Sequence, residues 1–183
     1  MRPRNAAATR EAILASALEA FTRAGYDGVG VREIAESAGV TAMLVNRYFG
    51  SKEGLFAEVV DAAMTERTVL TGDPATLAAD LAASLVRRTA PGAERLDPFL
   101  LVLRSAANPR AAEILRAGIE RHVERHLTEL LPEQEAAGPA LALSVIAGFW
   151  LMRTLIGSTA LAEAGEAVLR RKLEQVFAVL LAE

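Results

Sequence analysis

Ile34-Ala35-Glu36-Ser37-Ala38-Gly39-Val40-Thr41-Ala42-Met43-Leu44-Val45-Asn46-Arg47-Tyr48-Phe49 reads as two short helices joined by a tight turn at Gly39. That shape places a second helix in the major groove of a DNA duplex. At about 100° per residue, Leu44, Val45 and Tyr48 share one arc of the helix over 42–48. Ala42, Met43, Asn46 and Arg47 share the other. The first arc suits packing, with Val40 and Phe49 closing its ends. The second is left to read bases: Arg can pair with guanine, Asn with adenine, and Met43 and Ala42 can touch thymine methyls.

Around this stretch lie groups suited to phosphates. Thr41 is expected to cap the third helix and to donate to a phosphate. The Tyr48 ring can pack inward while its hydroxyl reaches the backbone of the duplex. Lys52 opens the fourth helix, where a cation beside exposed N–H groups suits a phosphate. Arg32 lies in the second helix, and Thr9 and Arg10 near the start of the first, beside the flanking backbone.

Charge is distributed to match. The chain of 183 residues carries a net −3. Residues 1–52 hold seven Arg and Lys against five acids, a balance of +2, so the remainder carries −5. A basic end on an acidic body aims one surface at phosphates.

The rest of the pattern is helical and predicts nine helices in an all-α, two-domain chain. Ile13, Leu14, Ala17, Leu18 and Phe21 mark the first helix over 6–24, and Gly25 ends it. Helices follow over 31–37, 42–48, 52–71 and 74–89, with Ser51 as the N-cap of the fourth. Asp97-Pro98 and Asn108-Pro109 open a sixth helix to 107 and a seventh to about 131. The eighth (140–157) is apolar all round, so it is to be buried on more than one side. The ninth covers about 166–182. Residues 1–51 are expected to form the DNA-binding domain and 52–183 the second domain, with the fourth helix linking them mechanically.

The eighth and ninth helices are the expected homodimer interface. Arg104 and Arg153 stand in apolar settings. A cavity lined by Phe99, Leu103, Phe149, Trp150 and Met152, with either arginine as polar anchor, would suit an apolar or anionic effector. The alternative is that both arginines pair with acids.

Other chemistries have little support. The absence of cysteine excludes disulfides and thiolate sites. His122 and His126 share a helix face, but Glu does not directly follow the first His, and Arg121 and Arg125 disfavour a cation. There is no glycine-rich phosphate loop and no nucleophile–base–acid set, so neither an enzyme nor a cofactor is expected. No apolar run is expected to reach the length needed to cross a bilayer and no signal core follows the N-terminus, so a cytoplasmic protein is expected.

The residues over 9–56 resemble the DNA-binding domain of the TetR family of transcriptional regulators. The likeness is carried by Ile13-Leu14-Ala15-Ser16-Ala17, Phe21, Gly25-Tyr26-Asp27, Val31-Arg32-Glu33-Ile34-Ala35, Gly39-Val40-Thr41, Tyr48-Phe49-Gly50-Ser51-Lys52-Glu53 and Leu55-Phe56. The resemblance implies a homodimer, a palindromic operator, and a helical C-terminal domain that binds a small effector and releases the DNA, most often as a repressor. Gly30, Met43 and Asn46 stand where that family commonly has Thr or Ser, Gly, and Tyr. These departures weaken the cap of the second helix and imply an altered base preference, carried by Asn46 and Arg47. A helical ligand-binding or scaffolding protein that has lost its DNA affinity is the other reading they allow.

Overall fold

The computed structural model describes residues 3–65, 73–92, 98–125 and 137–181, and every regular element among them is helical. The helices are α1 (Pro3–Ala24), α2 (Val31–Ser37), α3 (Ala42–Phe49), α4 (Lys52–Thr65), α5 (Leu77–Arg88), α6 (Pro98–Ser105), α7 (Pro109–Ile119), α8 (Ala137–Trp150), α9 (Thr159–Glu163) and α10 (Glu166–Leu180). A π-helical turn extends α7 (Glu120–Glu124) and another extends α8 (Leu151–Leu155). The all-α expectation holds, with ten helices described rather than nine. The addition is α9: the Ser158 carbonyl accepts from the Leu161 and Ala162 N–H groups and coils what the pattern gave as a link. The proposed cap Asp97, His126, and the end of the predicted seventh helix lie outside the described residues.

The chain divides into two compact units. Met1–Thr68 with Leu96–His122 make the first, and Val69–Arg95 with Val123–Glu183 the second. In the first, α1 buries Ile13, Ala17 and Phe21, and α4 buries Leu55, Phe56, Val59 and Val60. These i, i+4 stripes are what an amphipathic helix presents to a core. Phe56 meets the Phe21 and Tyr26 rings edge-on, each at 5.0 Å between centroids. Helix α7 lies along α4 where residue 118 has no side chain: a Cβ there would fall 2.5 Å from Val60 Cγ1. The same junction carries an ionic contact, because Asp61 accepts from Arg121 at 2.9 and 3.0 Å and faces His122 Nε2 at 2.9 Å.

In the second unit α5 packs along α10, Leu77, Leu81 and Leu85 sharing the core with Leu169, Leu173 and Phe177. Arg153 is buried. Its guanidinium donates to the Val86 carbonyl and Thr89 Oγ1, both at 3.0 Å, at the C-terminal end of α5, and lies 5.8 Å from the Phe149 ring centroid. A cation at that end satisfies carbonyls left open by the helix and opposes its dipole.

One expectation is corrected here. Ala137–Leu155 forms a continuous helix of 19 residues, long and apolar enough by length and composition to cross a membrane. Gly138 and Pro139, expected in the link before this helix, lie within α8 and lengthen it. One such helix is weak evidence of a span, since the core helix of a soluble protein passes the same test.

Candidate nucleic-acid interface

The helix–turn–helix forms as its sequence dictates. Gly30 occupies the N-cap of α2 with extended backbone and no side-chain bond. The turn closes through Val40 N–H to the Ala35 carbonyl at 2.9 Å, with Gly39 at φ +68°. Thr41 takes the N-cap position of α3, but its hydroxyl makes no capping bond, contrary to expectation. Its side chain is exposed, so the cap rests on backbone geometry and the hydroxyl is left outward.

Helix α3 presents two different faces. Val45 and Phe49 are buried, Leu44 and Tyr48 half-buried. Opposite them, Met43 is 78% exposed, Asn46 and Arg47 are exposed, and Ala42 is half-buried. Asn46, Arg47 and Arg32 have no side-chain hydrogen bond or ion pair among the described residues. An exposed thioether beside an unpaired amide and an unpaired guanidinium is a surface without an intramolecular role.

The flanking cations divide. Arg10 pairs with Glu58 of α4 and lies 5.1 Å from the Phe49 ring centroid, so it joins α1, α3 and α4 rather than standing free. Thr9 beside it is half-buried. Lys52 has no carboxylate partner among the described residues; its Nζ lies 4.4 Å from the Tyr26 ring centroid. The Tyr26 hydroxyl donates to Glu53 Oε1 at 3.0 Å. Burial first, then the Glu53 bond and charge, push the Tyr26 phenol up to about 12. Glu53 is held below the usual carboxylate range, chiefly by its own backbone N–H, then by the Ser51 and Tyr26 hydroxyls. Ser51 Oγ also accepts from the Gly54 N–H at 3.1 Å, as an N-cap does. The N–H groups of residues 53 and 54 are thus already used, which corrects the expectation that they wait beside Lys52 for a phosphate.

A further set of contacts has no local sign in the sequence. Arg104 Nη1 donates to the Thr22 and Arg23 carbonyls, both at 2.7 Å. Ser105 Oγ accepts the Tyr26 N–H at 3.0 Å and is buried. Asn108 caps α7 through the N–H groups of Arg110 and Ala111, while its amide donates to Asp27 at 2.9 Å. Gly25 ends α1 at φ +74°, and a Cβ there would fall 2.3 Å from the Arg104 carbonyl oxygen. The α6–α7 corner thereby clasps the α1–α2 turn, directly before the helix–turn–helix.

The residues expected around an effector fall in both units. Phe99, Leu103 and Arg104 belong to the first unit, Phe149, Trp150, Met152 and Arg153 to the second. Both arginines, expected as free anchors or partners of acids, are instead engaged at helix ends.

A two-faced recognition helix, unpaired cations around it and a separate helical unit define a helix–turn–helix DNA-binding protein. Residues 13–59 match the model for bacterial regulatory proteins of the tetR family, and residues 76–181 match that for the tetracyclin repressor-like C-terminal domain. The chain belongs to the TetR family of transcriptional regulators. It is 62% identical over 40 residues to the regulatory protein RaaS of Mycobacterium tuberculosis (22% of this chain, 18% of that protein). It is 41% identical over 59 residues to the regulator RutR of Escherichia coli K12 (32% of this chain, 28% of that protein). These matches span less than a third of either relative. The fold is similar to that of the multidrug binding protein EbrR complexed with ethidium, with a TM-score of 0.71 and 20% identity over 96% of this chain and 99% of that one. These relatives are regulators or binding proteins, which at the level of the family argues against an enzyme.

Proposed function

We propose that the chain is a repressor that binds a palindromic operator as a homodimer and is released by a small effector. The single observation that carries this reading is the outward face of α3, where Met43, Asn46 and Arg47 stand exposed opposite a buried packing face. Asn46 and Arg47 supply paired hydrogen bonds to base edges. Arg32, Thr41, Tyr48 and Lys52 supply contacts to phosphates, which set register without reading sequence. Thr9 and Arg10 lie at the edge of this surface, with Arg10 bridging to Glu58. Residues 1–51, joined by Lys52 at the head of α4, carry the DNA contacts, and residues 52–183 carry effector binding and dimer formation, in the cytoplasm where operator DNA is found.

Support for the dimer comes from α8 and α10. Leu141, Met152, Leu155, Ile156, Val168, Val176 and Val179 are exposed large hydrophobics in one subunit. A twofold pairing would cover them and space two copies of α3 for two half-sites. Ligand binding is supported by EbrR, which holds ethidium on a similar fold. An effector in the second unit would have the Phe149 and Trp150 rings as apolar lining, while Arg153 stays committed to Val86 and Thr89. Its binding would favour a dimer whose recognition helices no longer fit the half-site spacing. Helix α4 and the α6–α7 corner both hold the helix–turn–helix and are the routes by which such a shift reaches it.

The test is binding of the purified full chain to duplexes from its own upstream region at low and moderate salt. The expected result is a dimer that shifts one palindromic fragment more tightly than random duplex. A chain that ignores every duplex at low ionic strength overturns the reading in favour of a ligand-binding protein.

A further inference from the structure

We propose that Tyr26 is a positioning residue: its ring holds the Lys52 ammonium where it meets a DNA phosphate. The inference rests on the duplex-binding reading above. It goes further by making one buried aromatic outside the helix–turn–helix part of the phosphate contact.

Three observations converge. Lys52 Nζ stands 4.4 Å from the Tyr26 ring centroid, within the range of a cation–π contact. An ammonium has three N–H donors, so a ring on one side leaves donors for a phosphate on the other, and Lys52 is only half-buried. The ring itself is anchored: Tyr26 is 6% exposed, packs against Phe56, and has its N–H held by Ser105. The neighbouring carboxylate is occupied. Glu53 accepts from the Tyr26 hydroxyl, the Ser51 hydroxyl and its own N–H, and makes no ion pair with Lys52. Glu53 stays ionised, but its hydrogen bonds go to these donors and not to the ammonium.

The consequence is preorganisation. A surface lysine has four rotatable bonds to order when it meets a phosphate, and one that already rests on a ring has fewer left to order. Charge alone does not require Tyr26, so the two residues can be separated by experiment.

The readout is the slope of log K against log salt, which counts phosphate contacts and is insensitive to base contacts. Each contact is worth about 0.9 in slope, so Lys52→Met in both subunits is expected to flatten it by about 1.8, on operator and random duplex alike. Tyr26→Leu is expected to lose at least half of that amount, and Tyr26→Phe, which keeps the ring, to recover most of it. The double variant Tyr26→Leu/Lys52→Met is expected to be no flatter than Lys52→Met alone. A full slope in folded Tyr26→Leu, whatever its affinity, overturns the proposal and leaves Tyr26 a core residue. A full slope in Lys52→Met overturns it while leaving duplex binding by α3 intact. A wild-type chain that binds no duplex defeats the underlying reading instead. If Tyr26→Leu does not fold, the free wild-type protein still decides: the Lys52 side-chain methylene protons should show an upfield ring-current shift in NMR that persists on adding duplex. Unshifted resonances overturn the placement.

Discussion

The outward face of α3 and the outward faces of α8 and α10 both stand exposed among the described residues, but they differ in kind. The first is polar and set by specific bonds behind it: the Arg104, Ser105 and Asn108 clasp on residues 22–27, and the Tyr26–Glu53 bond. The second is a run of aliphatic side chains on α10, whose other face packs on α5, and on α8, which packs against α10. A polar face held rigidly suits a partner with a fixed pattern of donors and acceptors. An aliphatic face suits another like itself, because burial is proportional to area and needs little direction. On the proposed reading, the first surface serves DNA and the second another copy of the chain.

The largest expected effect is at the support of the polar face. Phe56→Ala removes a ring that is fully buried between Phe21 and Tyr26, and a loss of about 3–5 kcal/mol is expected. Thermal melting checks it, with duplex binding abolished while sedimentation still shows self-association. Loss of both together would show that the two faces do not depend on separate supports.

Next comes the aliphatic face. Val179 is 78% exposed, so Val179→Glu should change the stability of a single subunit by no more than about 0.5 kcal/mol. It would bury a charge in the dimer. Sedimentation should show a monomer, and operator affinity should fall by about 100-fold or more, because a single recognition helix binds weakly. A persistent dimer would remove α10 from the interface.

A smaller effect tests the clasp. Asn108→Ala removes the cap of α7 and the bond to Asp27 together, and about 1 kcal/mol is expected from the cap. Operator affinity should fall by more than chemical denaturation accounts for, since the turn before α2 is released. Equal losses would make Asn108 a cap and nothing more.

At neutral pH the smallest effect is that of Tyr26 ionisation, which shows only in alkali. The folded Tyr26 phenol is raised to about 12 from an ordinary value of 10.0. Above pH 10 the unfolded chain gives up this proton first, so stability falls as pH rises. This contribution is complete below pH 10 and is lost between 10 and 12. Urea melts of Tyr26→Phe should lack that part of the alkaline decline.

Local signals were read well where the partners are near in sequence. Gly25 ending α1, Ser51 capping α4, Asn108-Pro109 opening α7 and the two arcs of α3 all depend on neighbours within one or two turns. Thr41 shows the limit even there: the residue type favours a capping bond, but the side chain is turned outward. Long-range partners left no such sign. Arg104 and Arg153 looked alike in sequence, each a cation in an apolar run. Each closes the end of a helix, Arg104 on Thr22 and Arg23, about 80 residues away, and Arg153 on Val86 and Thr89. Tyr26 was visible only as part of a family-like stretch, because its role depends on Lys52 and Glu53 folding back over it.

The contact of α3 with bases is tested most directly by Asn46→Ala. Its affinity for the best duplex selected from a random pool should be compared with that for random duplex at the same salt. Asn46 is exposed and unpaired in the free chain, so folding should be unchanged. Loss of about 1–3 kcal/mol on the selected duplex alone is expected for a base contact. An equal loss on both duplexes, or none on either, would contradict the assignment of this face to sequence reading.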